Sequence, residues 1–249
     1  MKRLIVNADD FNLSPGVSRG ILESSTRGIV TSTTMMINLP FDSEALARLR
    51  DADLGVGLHL NLTFGAPILP PRELPSLVDG GGRFIRDPIS VAARAKPEEV
   101  ARELQAQIEA FVAAVGRRPT HLDSHHFLHR YSPIREVVLT LAAVLNLPLR
   151  ADQPDLRAEV RRRAIPTTDH FIGDVTEEPY WTEMRLEEML SRLSAGATEL
   201  MCHPGYNDVP WSRYSHQREA ELGALTAPGI RARLQQQGVR LIHFGTLAG

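Results

Sequence analysis

One cysteine, Cys202, is all the chain has, so no disulfide can form within it. Long hydrophobic runs are missing too: none approaches the roughly eighteen apolar residues of a membrane span, and no apolar signal segment precedes the first strand-like run. These absences point to a cytoplasmic protein. Charge of one sign is also lacking, with 28 Lys+Arg against 30 Asp+Glu and a formal net charge of -2. Such a balance offers no general pull toward phosphate backbones or anionic lipid, which excludes nucleic acid and membrane as expected partners. The one dense basic stretch, Arg157 to Arg163, reads as a solvated helix or loop. No fixed-period repeat or low-complexity tract is present, which excludes a solenoid or linker protein.

What is there is 249 residues, 43% of them hydrophobic, enough to bury a substantial core as one domain spanning 1–249. Strand-like runs alternate with helical patterns: 4–8, then 14–27, 29–38, 42–50 and 54–62. That order predicts βα units around a parallel sheet. Ser14-Pro15 reads as a cap followed by proline at the first helical position, and Gly28 closes that helix. Between Pro97 and Val115, apolar residues at Val100, Leu104, Ile108, Phe111, Val112 and Val115 recur at helical spacing. Further strands are expected at 119–123, 147–151 and 198–202, with helices from Ser132-Pro133 to Asn146 and near 181–193, and a closing helix and strand through 231–244. The count is about seven parallel strands. Residues 63–96 break the rhythm with five prolines and the glycines Gly80 to Gly82, as a long loop over the site or an arm reaching a homodimer partner would.

Polar groups recur where strands should end, the edge at which such sheets place their sites. Asp9 and Asp10 follow Leu4-Ile5-Val6, His59 follows residues 54–58, a histidine cluster runs from His121 to His129, and His203 follows Leu200-Met201-Cys202. Adjacent carboxylates repel and are costly to desolvate, so a shared cation or proton is the usual reason they persist. One carboxylate with two imidazoles is a common catalytic metal arrangement, which Asp10, His59 and His125 could supply. Asp9 would then accept the proton of an attacking water, and His203 would protonate a leaving amine. Spacing alone does not decide which imidazole of the cluster binds; Asp123 could orient a metal-bound histidine, and His121, His126 and His129 could pack or touch substrate.

The motifs Val6-Asn7-Ala8-Asp9-Asp10-Phe11, Gly28-Ile29-Val30-Thr31-Ser32-Thr33, Gly57-Leu58-His59, Thr120 to His126 and Met201-Cys202-His203-Pro204 resemble those of the YdjC-like carbohydrate deacetylases, which include chitooligosaccharide deacetylases. The resemblance implies a distorted (β/α) barrel related to polysaccharide deacetylases, and a divalent cation, Mg2+ or Zn2+, held at Asp10, His59 and His125. It implies hydrolysis of the acetyl group from an N-acetylated amino sugar, with Asp9 as base and His203 assisting the amine. Arg150 matches a strand-end arginine that would meet substrate. Two positions depart from the pattern: Asn12 stands where glycine is common, and Phe127 replaces a third histidine. Asn tolerates the left-handed backbone a glycine would adopt. Tyr206 and Trp211, close after His203, are candidates to stack on a sugar ring. The rival readings are a glycosidase using paired carboxylates and a sugar- or metal-binding protein without turnover.

Overall fold

The computed structural model describes residues 1–247. Its central strand, β1 (Lys2–Phe11), is buried from Leu4 onward. A strand covered on both faces is ordinarily apolar throughout. Leu4-Ile5-Val6 obeys that rule, whereas Asn7, Asp9 and Asp10 break it, which marks where the interior becomes a site.

All pairings within the seven-stranded sheet are parallel. The order is β4 (Leu122–Ser124), β3 (Gly55–Leu60), β2 (Ser32–Met35), β1, β6 (Gly196–Cys202) and β5 (His170–Ile172). The seventh, β7 (Val239–Leu241), pairs with Lys2–Leu4 of β1, while β2 pairs with Asn7–Phe11 and β6 with Lys2–Ala8. Two strands thus divide one edge of β1, and the sheet curls into an incomplete barrel wrapped by helices.

The helices begin where local chemistry satisfies their first N–H groups. Ser14 Oγ accepts from Val17 N–H at the start of α1 (Pro15–Arg27), and Asp42 does the same for α2 (Ser43–Asp51). Gly28 caps the end of α1, where a β-carbon would stand 2.3 Å from the Leu225 carbonyl oxygen and only glycine fits. The expected helix between Pro97 and Val115 is observed with those bounds. Val100, Leu104, Ile108, Phe111 and Val115 are buried along it, each contributing roughly 1.5–3 kcal/mol of transfer free energy.

The proline-rich segment is more ordered than its composition suggests. It contains α3 (Pro88–Arg94), so the long helix 97–115 is α4. Buried acceptors on α4 replace a sheet ladder for the irregular part. Glu103 accepts from Ile68 and Leu69 N–H, Glu99 from Ser76 N–H and Oγ–H, and Gln107 accepts from Asn61 N–H and donates to its carbonyl. Leu74, Leu77 and Phe84 pin the segment to the core.

Residues 147–151 do not form the strand expected of them. Pro148 has no N–H to donate, and the extended chain makes a single parallel bridge, Leu122 to Leu149. The strand that the expectation lacked is β5, short and partly exposed, with no apolar alternation to announce it. The helix expected from Ser132-Pro133 is α5 (Ile134–Leu145), ended by Asn146 at φ 51°. The arginine-rich stretch falls on α6 (Pro154–Arg162), and Arg161 and Arg163 make surface ion pairs with Asp169 and Glu136. Next come α7 (Glu183–Ser191), α8 (Gln217–Leu225) and α9 (Ile230–Gln236).

Candidate metal centre

Side chains of successive strand residues point to opposite faces, so Asp9 and Asp10 could not both face one centre on a regular β1. A break in register between Ala8 and Phe11 solves this, with Asp10 at φ 71° and Asn12 at φ 76°. Such a bulge re-aims side chains at the end of a pairing. Asn12 holds it by donating from Nδ2 to the Met36 and Leu39 carbonyls, while Ser18 Oγ accepts from its N–H.

Asp10 Oδ1 then lies 3.4 Å from His59 Nε2 and 3.3 Å from His125 Nδ1. It is buried and has no hydrogen-bond partner among the described residues. A tetrahedral ion bound at about 2.1 Å would set neighbouring donors about 3.4 Å apart, so these three atoms fit a divalent cation. The second oxygen of Asp10 is occupied, accepting from Arg218 Nη2 at 2.7 Å. Burial opposes the charge of Asp10, but Arg218 and the imidazoles hold its carboxyl well below the usual range.

His59 and Asp123 are register partners on β3 and β4, which places them side by side. Asp123 Oδ1 lies 2.7 Å from His59 Nδ1, and Thr34 Oγ donates to Asp123 Oδ2 at 3.0 Å. A proton held on Nδ1 by that carboxylate leaves the Nε2 lone pair directed at the centre. Burial would lower the pKa of His59, yet Asp123 and Asp10 outweigh it and raise it to about 10. This spot demands positive charge, which either a proton or a metal ion can provide.

Asp9, His59 and Asp123 also converge, but a cation already serves that cluster. Arg150 is fully buried, binds both oxygens of Asp9 at 2.6 and 2.7 Å, and lies 2.9 Å from Asp123 Oδ2. Its Nε donates to Glu199 Oε1 at 2.7 Å. All three nitrogens of Arg150 are thus engaged inside the barrel, so its place is behind Asp9 rather than on a substrate surface. Burial raises Glu199 to about 8 against the pull of Arg150. Asn7 Nδ2 donates to Asp9 Oδ1 at 2.8 Å, so Oδ2 is the oxygen with a free lone pair.

His203 is buried at the end of β6, and its Nδ1 has no partner among the described residues. Its backbone N–H donates to Glu221 Oε2 at 2.5 Å, and the Tyr214 hydroxyl donates to Oε1 of the same carboxyl. Burial lowers the His203 imidazole to about 4 and raises Glu221 to about 7.

The remaining histidines separate by environment. His126 Nδ1 lies 3.1 Å from Thr63 Oγ, and its ring stacks on His125. His121 packs in the core: its ring stacks on Phe244 at 4.0 Å, its Nε2 lies 3.0 Å from Asn7 Oδ1, and a β-carbon on Gly57 would collide with it. Burial drives His121 down to about 3 from a usual 6.5. Between those values the unfolded chain takes up a proton that the folded chain refuses, so stability should fall as pH drops from 6.5 toward 3. Urea unfolding at pH 7 and pH 5 should show a smaller loss for His121→Gln than for the wild type; equal losses would contradict this.

The aromatic candidates divide. Tyr206 turns onto α1, its hydroxyl donating to Glu23 at 2.5 Å with Arg19 over its ring. Trp211, 48% exposed, stacks on Phe64 at 5.0 Å, and the Phe64 ring meets His125 edge-on at 6.3 Å. No motif or spacing in the sequence singles out Phe64, Arg218, Glu199 or Glu221. Arg218 and Asp10 are 208 positions apart, a separation that leaves no periodic trace.

The family model for YdjC-like proteins matches residues 3–236. A carbohydrate deacetylase from Geobacillus stearothermophilus is 40% identical, with 96% of each chain covered. A chitooligosaccharide deacetylase from Serratia marcescens is 37% identical over 99% of each. The crystal structure of a cellobiose-phosphate cleavage candidate from Enterococcus faecalis V583 superposes with a TM-score of 0.87 at 33% identity, covering 100% of this chain and 99% of that one.

Proposed function

The chain belongs to the YdjC-like family, and on that premise we propose that it is a metal-dependent carbohydrate deacetylase, acting on a short chitooligosaccharide or related N-acetylated glycoconjugate. The observation that carries this reading is Asp10 Oδ1, without a hydrogen-bond partner among the described residues and facing two imidazole nitrogens. Asp10, His59 and His125 would hold the ion, and their imidazole pair favours zinc over magnesium. When bound, the ion supplies Lewis acidity that polarises the amide carbonyl and makes water acidic near neutral pH.

The chain's own groups complete the hydrolysis. Asp9, oriented by Arg150 and Asn7, accepts the water proton on Oδ2 as the water oxygen adds to the amide carbon. His203 enters at neutral pH without a proton, so the proton it hands to the departing amine is the one Asp9 took from water, which returns Asp9 to its carboxylate form. Acetate and a free amino sugar result. A glycosidase would need one carboxyl poised as a proton donor. Asp10 is held ionised and Asp9 is paired with Arg150, so neither serves that role.

Trp211 and Phe64 support a substrate longer than one sugar, because their stack extends outward from His125. Loss of an aromatic face is worth roughly 1 kcal/mol, so Trp211→Ala should raise KM for a disaccharide several-fold. The effect on an N-acetylated monosaccharide should be smaller; an equal effect on both would remove Trp211 from the binding face. No helix among the described residues is long and apolar enough to cross a membrane. A cytoplasmic location belongs to the same proposal, supported by the free, buried Cys202.

Product analysis tests the reaction. An N-acetylglucosamine disaccharide should yield acetate and a free amine with its glycosidic bond intact. Release of monosaccharide without acetate would overturn the proposal.

A further inference from the structure

His125 reaches the centre from a 3-10 turn (His125–Arg130) whose next two residues are conformationally costly. His126 and Phe127 have φ values of 54° and 52°. The left-handed region is unfavourable for a residue with a β-carbon, and it persists where surrounding contacts impose it. Here those contacts form a buried chain that the proposed reaction does not use. Ser124 Oγ accepts from the His129 N–H at 3.0 Å and lies 2.6 Å from His129 Nδ1. His129 Nε2 lies 3.0 Å from Asp152 Oδ1, and Arg130 Nε donates to Asp152 Oδ2 at 2.5 Å. With its proton on Nε2 facing the carboxylate, the imidazole accepts the Ser124 hydroxyl proton at Nδ1. Arg130 then lays its guanidinium 3.8 Å from the centre of the Phe127 ring.

Serine, histidine and aspartate in hydrogen-bonded series have the composition of a nucleophilic triad. Both contacts of the Ser124 hydroxyl are to His129 within the turn, so it is spent on holding the turn rather than on a reacting carbonyl. The network instead closes the two ends of the turn on each other, from Ser124 just before His125 to His129 and Arg130 at its far end.

We propose that Ser124, His129 and Asp152 form a clamp that holds the turn in its left-handed conformation and thereby keeps His125 Nδ1 aimed at the metal centre. They are positioning residues, and the proposal rests on the metal reading above. Two features make it testable apart from overall stability. The clamp acts on one ligand, so its loss should appear in metal affinity. Strain at Phe127 is what it opposes, so glycine, which adopts positive φ without penalty, should make the clamp dispensable.

The experiment measures zinc affinity by competition with a chromophoric chelator, and amide hydrogen exchange across 125–130. Ser124→Ala and Asp152→Ala should keep the wild-type circular dichroism, bind zinc about 10–100-fold more weakly, and exchange faster in the turn. Should Asp152→Ala fail to fold, Ser124→Ala removes one oxygen only and still decides. Adding Phe127→Gly to Ser124→Ala should recover most of the lost affinity. Wild-type affinity in folded clamp variants, or no recovery with glycine, would overturn the clamp while leaving the metal reading intact. A wild-type protein that binds no divalent cation would overturn the metal reading and the ligand-holding role together; slow exchange in the turn would then survive only as a packing feature.

Discussion

Asp9→Asn is expected to keep its metal and lose about a thousandfold in kcat, whereas Asp10→Ala is expected to lose the metal itself. The two carboxylates are neighbours in the chain, yet their surroundings divide the work. Asp10 offers two imidazoles an oxygen with no hydrogen-bond partner among the described residues, so truncating it would remove one of the three proposed donors. Asp9 faces Arg150 and Asn7, and in the proposed reaction its remaining lone pair would accept the proton. An amide at position 9 keeps the shape and cannot take that proton, a loss that general-base catalysis places at roughly 10²–10⁴-fold. Elemental analysis beside acetate assays separates the outcomes. Full activity in Asp9→Asn would remove it as base, and full metal content in Asp10→Ala would remove that residue from the ligand set.

Replacing Arg150 by methionine should cost about 3–5 kcal/mol of folding stability, the scale for removing one partner of a buried charge group. The guanidinium is surrounded by Asp9, Asp123 and Glu199, all inside the barrel. Methionine fills much of the volume and neutralises none of the charge. Glu199, already raised to about 8 by burial, can respond by holding a proton, but Asp9 and Asp123 remain together without their cation. Glu199→Gln should therefore relieve part of the penalty in the double variant. Urea unfolding measures both, and an unchanged midpoint in Arg150→Met would contradict the role assigned to it.

Much of this site is legible because its residues sit at the ends of strands whose helices announce themselves. Ser14-Pro15 places α1 and so puts Asp9 and Asp10 in the loop before it. The apolar spacing from Val100 to Val115 marks α4, and β4 follows it, bringing Asp123 and His125 to the same edge as His59. Asn12 could be assigned a left-handed backbone from its chemistry, and it has one. That Asp10 shares this conformation could not, since a register break depends on how β1 and β2 pair. Arg150 was identifiable as a residue of interest, while its role was not. A side chain at a strand end can face substrate or turn inward, and only the three carboxylates gathered around it decide. The exchange of an expected strand at 147–151 for β5 has a similar origin, because Pro148 halts one ladder and β6 supplies an edge for the other.

Anomalous scattering from a zinc-loaded crystal tests the central claim most directly. One peak about 2.0–2.2 Å from Asp10 Oδ1, His59 Nε2 and His125 Nδ1 is the expected result. A peak seated instead among Asp9, His59 and Asp123, or zinc bound only outside the barrel, would contradict it.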